Sequence, residues 1–221
     1  AFVVMSTLLA STSVSAYAAL PVEKLSVSKT ANHIILIVGH KNNKNKVTVN
    51  DYTKSSDGKW TKNWYVNGIA GTNGISTQKS EGDKKTPEGV FNAMFAFGLK
   101  DNPGSLLEYR KIGDGDYWVD DSNSAYYNTW VNTSKVKKDW ASAEDLKAAY
   151  PFYNYALALN YNTEAVPGKG SAIFIHCTKT DTDTSSAGCI RIPEDYMKKL
   201  VNGVDADTKI VIIQNVDKLS S

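Results

Sequence analysis

The stretch from Ser171 to Ile192 constrains this chain more than any other. It opens with Ser171-Ala-Ile-Phe-Ile-His176-Cys177, crosses a Thr/Asp/Ser loop, and closes on Ser185-Ser186-Ala187-Gly188-Cys189-Ile190-Arg191-Ile192. The first run predicts a β-strand, in which successive side chains point to opposite faces. Ala172, Phe174 and His176 then share one face, and Ile173, Ile175 and Cys177 the other. The second run alternates in the same way, with Cys189 and Arg191 on one face and Ile190 and Ile192 on the opposite, apolar one.

That pattern reads as a thiol active site. A cysteine is a useful nucleophile as thiolate, so it needs a base within hydrogen-bond reach, nearby positive charge and amide donors for an oxyanion. Cys189 is assigned as nucleophile, His176 as its base and Arg191 as a cation beside thiolate or substrate. Cys177 is expected to pack with Ile173 and Ile175 as a small hydrophobe. Gly188 removes a Cβ where the backbone turns tightly or approaches substrate, and the N–H groups around Cys189 are the oxyanion donors. Ser186 either donates a hydrogen bond within the site or supports the turn. Asp181 and Asp183 either orient His176 or belong to a solvated loop, a backbone carbonyl serving the same purpose. A competing reading is a structural disulfide between Cys177 and Cys189, which cysteine count alone favours in an exported protein.

The remainder of the chain agrees with one catalytic domain. At 221 residues it is long enough for a sizeable core. A formal net charge of +2 carries no electrostatic footprint for nucleic acid. Lys41, Lys44 and Lys46 form a small basic cluster that reads as a solvated hairpin loop, with attraction to an anionic cell wall as the alternative. The uncharged run 1–18, apolar at first and ending Ser15-Ala16-Tyr17-Ala18, predicts a signal peptide and hence export, with any membrane contact confined to that segment if it is not cleaved. Residues 19–28 read as a short linker, 29–216 as the domain and 217–221 as a tail. Strands are expected over 33–38, 46–52, 64–66, 89–97, 117–120, 171–177 and 209–214. Ser142-Ala-Glu-Asp145 has the form of a capping box opening a helix that ends near Tyr150-Pro151, and Pro193-Glu-Asp opens another that Gly203 terminates. His33 and His40 read as strand-end histidines, and no metal site or cofactor is expected. Short mixed strands with few helices favour a mainly β, β-sandwich-like domain.

The cysteine block resembles the L,D-transpeptidases of the YkuD type, whose members carry a histidine, then at a distance Ser/Thr-His-Gly-Cys, an apolar residue and Asn or Arg. The matching positions are His176, Ser186, Gly188, Cys189 and Arg191, with Ala187 where many members have a second histidine. The block Glu81-Gly82-Asp83-Lys84-Lys85-Thr86-Pro87-Glu88-Gly89-Val90-Phe91 is similar to the family's Thr-Pro-x-Gly-x-Phe element. The segment Asp116-Tyr117-Trp118-Val119-Asp120-Asp121, running on to Tyr126-Tyr127-Asn128-Thr129-Trp130, is similar to an aromatic segment of some members; Trp118, Tyr127, Asn128 and Trp130 are candidates for a substrate cleft, while aromatics at such density more often form core. The resemblance implies a sandwich-like fold with mixed sheets and acyl transfer on peptidoglycan stem peptides. A Cys189 thioester would form with loss of terminal D-alanine, giving 3→3 cross-links, and a carbapenem would form a covalent adduct. The alternatives are an L,D-carboxypeptidase, a sortase-like thiol transpeptidase, and a disulfide-stapled wall-binding module without catalysis.

Overall fold

The computed structural model describes residues 21–180 and 183–220. The expected signal segment and Asp181 lie outside them. In chain order the regular elements are β1 (His33–His40), β2 (Asn43–Lys54), β3 (Trp60–Ile69), β4 (Ile75–Ser76), β5 (Thr86–Pro87), β6 (Gly89–Phe91), β7 (Ala93–Gly98) and β8 (Tyr109–Lys111). They continue with β9 (Asp116–Val119), β10 (Trp130–Asn132), β11 (Ala143–Asp145), β12 (Ala156–Leu159), β13 (Phe174–Cys177), β14 (Ile190–Ile192), α1 (Glu194–Gly203) and β15 (Lys209–Ile213).

Ten strands form one mixed sheet in the order β6-β15-β1-β2-β3-β14-β13-β12-β7-β8. Strand alternation explains how this sheet makes a core. Ile35 and Ile37 of β1, Val47 and Val49 of β2, and Ile210 and Ile212 of β15 share one buried cluster with Leu157 and Leu159 of β12, Ile175 and Cys177 of β13, and Ile190 and Ile192 of β14. These strands lie at separate positions along the sheet, so the sheet curls until its two halves face one another across aliphatic side chains. Burying each such side chain is worth about 1.5–3 kcal/mol. Met197, Leu200 and Val201 of α1 join the same cluster. The opposite face of β1 carries Ile34, Leu36 and Val38 into a second cluster, and the opposite face of β13 carries Phe174 into a third, aromatic one. A small sheet in the order β10-β9-β11 packs on that third cluster through Trp118 and, just beyond β11, Leu146. The molecule is thus mainly β and layered, as the sequence leads one to expect.

Four expectations need correction. The segment opening at Ser142 is not a helix, because Ala143, Glu144 and Asp145 pair with Val119, Trp118 and Tyr117. The local cap survives as Asp145 Oδ1 accepting from the N–H groups of Lys147 and Ala148, at 3.0 Å each, but no helix propagates from it. Residues 89–97 make two strands, since β6 pairs with β15 and β7 with β12. Asn92 stands at the break, its Nδ2 donating to the carbonyls of Ala206 and Thr208. Ser171 and Ala172 fall outside β13, Ala172 having φ 52°. Finally, the expected linker and tail contain packed 3-10 turns at Pro21–Lys24, Ser26–Lys29 and Val216–Ser220, because Val22, Leu25 and Leu219 bury against β1 and β15. The helix after Pro193 forms as expected, with Glu194 and Asp195 in its first turn, where acidic charge suits the helix dipole.

Candidate active site

The parallel pair β13–β14 sets His176 opposite Arg191 and Ile175 opposite Ile190. One step back along that register Cys189 stands opposite Phe174, so Cys189 and His176 occupy diagonal positions on one face. Both cysteines are free. Cys177 points the other way into the aliphatic cluster with Ile173 and Ile175, and its thiol donates to the Tyr155 carbonyl at 3.5 Å.

The turn that presents Cys189 is held from several sides. Thr86 of β5 donates its hydroxyl to the Gly188 carbonyl at 2.6 Å while accepting from the Gly71 N–H at 2.8 Å. Ser186 Oγ accepts from the Gly188 N–H at 3.0 Å, and the Ser186 carbonyl accepts from the Thr72 N–H and hydroxyl. Ser186 therefore supports the turn, and the Gly188 N–H is engaged within it. Gly188 has φ 155°, and a Cβ there would stand 3.0 Å from the Lys85 carbonyl oxygen, tighter than a side chain tolerates without movement.

Cys189 lies at the floor of a cleft lined by Lys79, Glu81, Gly82, Lys84, Asp120, Glu144, Ser171, Ala172, Ile173, Ala187 and Gly188. Its thiol donates to the Ala172 carbonyl at 3.2 Å. That carbonyl is aimed by the left-handed backbone at Ala172, a conformation that costs an alanine about 1–3 kcal/mol and persists only where neighbours impose it. The neighbours are identifiable. Asn128 Oδ1 accepts from the Ala172 N–H at 3.0 Å and from Trp118 Nε1 at 2.9 Å. Tyr127 donates its hydroxyl to Glu81 Oε2 at 2.5 Å and accepts from the Gly170 N–H at 3.0 Å, while Ser171 donates to the same Glu81 oxygen at 2.8 Å. Trp118 and Tyr127 do not line the cleft. They are buried, and with Asn128 they clamp residues 170–172 from behind, so the aromatic segment acts on the site by shaping its wall.

His176 is only 3% exposed and lies outside the cleft lining, its ring edge-on to Tyr153 at 5.1 Å and Phe152 at 5.9 Å. Its Nδ1 is 2.9 Å from the Cys177 carbonyl oxygen. A carbonyl only accepts, so Nδ1 carries the proton and Nε2 is left as the basic nitrogen. The orienting group is thus a backbone carbonyl. Asp183 instead accepts from the Lys179 N–H and the Thr180 hydroxyl and stands 3.9 Å from Arg191. Burial, followed by the Arg191 charge, lowers the imidazole pKa to about 3 against the opposing pull of the Cys177 and Phe152 carbonyls. Burial and then the Glu144 charge push the Cys189 thiol up to about 12. The resting pair is therefore neutral thiol and neutral imidazole, not an ion pair. The Arg191 guanidinium stacks on the Phe152 ring at 4.4 Å, and its Nε is buried with no hydrogen-bond partner among the described residues.

The carboxylates of the cleft, Glu81, Asp120 and Glu144, lie in segments the sequence singled out but were not themselves read as site residues. Glu144 comes from β11 and Asp120 follows β9, so the small sheet delivers both to a cysteine on the main sheet. The Tyr153 hydroxyl donates to Glu144 Oε2, and burial pushes the Glu144 carboxyl above its ordinary range, the Asp120 charge adding to the rise and the Tyr153 bond opposing it. Asp120 Oδ1 is buried with no hydrogen-bond partner among the described residues.

Comparison with known proteins adds three findings. The family model described as the L,D-transpeptidase catalytic domain (YkuD) matches residues 36–212. No curated protein sequence matches. A solved structure titled "Structure of the Ldtfm-avibactam carbamoyl enzyme" is similar at 15% identity and a TM-score of 0.36, over 83% of this chain and 48% of that one. The present chain thus spans about half the length of that protein.

Proposed function

The chain belongs to the family of L,D-transpeptidase catalytic domains, and on that premise we propose that it is an exported cysteine acyltransferase acting on peptidoglycan stem peptides. The observation that carries the proposal is Cys189 at the floor of a cleft, on the same strand-pair face as an imidazole whose Nδ1 is tied to a backbone carbonyl.

Acylation starts from the neutral pair. The thiol leaves the Ala172 carbonyl and passes its proton to His176 Nε2 as sulfur adds to the amide carbonyl that follows the L-centre of the donor's diamino acid. The C–N bond then breaks, the proton moves from His176 to the departing amine, and terminal D-alanine leaves. A Cys189 thioester remains. In the second step the side-chain amine of a neighbouring stem attacks that carbonyl, the C–S bond breaks, and the amine proton returns through His176 to sulfur, giving a 3→3 cross-link. Water in place of the amine gives carboxypeptidase activity. Burial and the Arg191 charge hold the resting imidazole unprotonated, so it accepts the thiol proton only as substrate binding and charge development at sulfur drive the transfer.

The test is incubation with a carbapenem followed by peptide mass spectrometry. A single adduct on Cys189 is the expected result. An unmodified Cys189, or an adduct carried equally by Cys177, sinks the proposal.

A further inference from the structure

We propose that Lys79 is a catalytic residue whose ammonium donates a hydrogen bond to the oxyanion formed as Cys189 adds to the donor carbonyl. This rests on the transferase reading above and supplies a part of the site which that reading leaves unfilled.

The sequence points to the N–H groups around Cys189 as oxyanion donors and to Arg191 as the cation of the site. In the structure the Gly188 N–H is engaged by Ser186 Oγ at 3.0 Å. Arg191 is outside the cleft lining, its guanidinium on the Phe152 ring, whereas Lys79 is inside it. A lysine side chain only 5% exposed is uncommon, because burial strips the ammonium of strong hydration. Two glycines make room for it. A Cβ at Gly170 would stand 3.3 Å from Lys79 Nζ, and one at Gly188 would stand 3.9 Å from Lys79 Cε. The ammonium end thus lies between the wall at Gly170 and the turn that presents Cys189.

Its hydrogen bonds leave one donor over. Lys79 Nζ donates to Asp83 Oδ1 and to the Ser80 carbonyl at 2.7 Å each. An ammonium has three N–H groups, so one has no acceptor among the described residues. The carboxylate that anchors it is itself fixed, Asp83 Oδ1 accepting from the Lys85 N–H at 2.9 Å and Oδ2 from the Ser80 N–H at 2.8 Å. Burial raises the Asp83 carboxyl, but the bonds from Lys79, Lys85 and Ser80 outweigh it and hold the group below its ordinary value, so it stays ionised beside the ammonium.

A donor fixed in this way acts where charge develops. As sulfur bonds to the carbonyl carbon, the π pair moves to oxygen, and the third N–H of Lys79 meets the negative charge there. Lys79 keeps its proton throughout. When the C=O bond re-forms, the C–N bond breaks and the amine leaves with the proton from His176, so atoms and charge balance. The resting thiol owes much less to this lysine: it is set chiefly by burial, then by the Glu144 charge, and Lys79 is the weakest of the charges acting on it.

The experiment reads two reactions at the same sulfur. Carbapenem acylation passes through an oxyanion, whereas iodoacetamide alkylation displaces iodide from a saturated carbon and forms none. Peptide mass spectrometry over time gives both rates at Cys189. Lys79→Met is expected to slow acylation by about 10²- to 10³-fold, the usual cost of one lost oxyanion donor, while alkylation changes less than about threefold. Both rates falling together, or acylation as fast as in the unsubstituted protein, overturns the proposal and leaves the transferase reading intact. An unsubstituted protein that is alkylated at Cys189 but never acylated removes that reading and the proposal with it. Lys79→Met also leaves the Asp83 carboxylate without its cation. If that variant does not fold, Lys79→Met combined with Asp83→Asn removes both charges of the pair, and the same two rates decide.

Discussion

Cys177 and Cys189 sit on opposite faces of one strand pair, and burial pushes both thiols up to about 12. By burial and acidity alone the two are equivalent. They differ in what surrounds them. Cys177 is enclosed by Ile173, Ile175 and the other aliphatic side chains of the sheet's interior. Cys189 faces aromatic rings on one side and a cleft of charged groups on the other, with a strained alanine carbonyl holding its proton. The proposed nucleophile, Cys189, therefore differs from Cys177 in its acceptor, its diagonal imidazole and its open side, and not in the direction of its pKa shift.

Removing one thiol and then the other is the strongest way to break that comparison. Cys189→Ala is expected to reduce acyl transfer to background in a stem-peptide exchange assay, whereas Cys177→Ser keeps most of the activity. The next largest effect is expected from His176→Gln, slowing carbapenem acylation of Cys189 by ~10²- to 10⁴-fold, the range typical of a positioned base. If acylation is as fast in that variant, the two faces no longer differ by their imidazole. Thr86→Val acts on the Cys189 side only. It strips the Gly188 carbonyl and the Gly71 N–H of a shared partner, and denaturant unfolding should report a loss of about 1–3 kcal/mol together with slower acylation. Cys177→Ser supplies the matching structural measurement, a loss of about 1–2 kcal/mol from a hydroxyl placed among aliphatic side chains. The smallest effect is the pH dependence of stability. His176 binds its proton near pH 3 when folded and near 6.5 when unfolded, so its contribution is complete above pH 6.5 and is lost as pH falls towards 3. The thiols act in the opposite sense: both are raised, so stability holds below about pH 9 and declines as pH rises towards 12. Melting temperatures of His176→Gln should fall less steeply below pH 6.5 than those of the unsubstituted protein.

The alternation of residues 172–177 and 189–192 was legible because period-two patterning needs no knowledge of distant chain, and it placed Cys177 in the interior and His176 on the face of Cys189. The capping-box form at Ser142 misled for the opposite reason. Such a signal is local, and pairing of Ala143–Asp145 with β9 outweighs one turn of helix. The run Ala156–Leu159, four apolar residues in the centre of the sheet, carries no alternation to read, since both of its faces are buried. Glu144, Asp120 and Ser171 reach the cleft from separate elements. They lie inside segments singled out for other reasons, a capping box, an aromatic run and a strand, and nothing local shows that these segments converge. Ala172 was read as strand because no side-chain rule anticipates a left-handed alanine; that conformation is imposed by Asn128, forty-four positions away.

The pairing of β1 with β15 has an architectural consequence. The opening and closing strands of the sheet run side by side and parallel, and the 3-10 turns that flank them pack together in a layer separated from Cys189 by the aliphatic interior. The first and last described turns, Pro21–Lys24 and Val216–Ser220, therefore share one side of the aliphatic interior, and the Cys189 cleft lies on the other. A loop inserted between these two 3-10 turns and their strands should therefore leave the rate of Cys189 labelling by a thiol reagent unchanged.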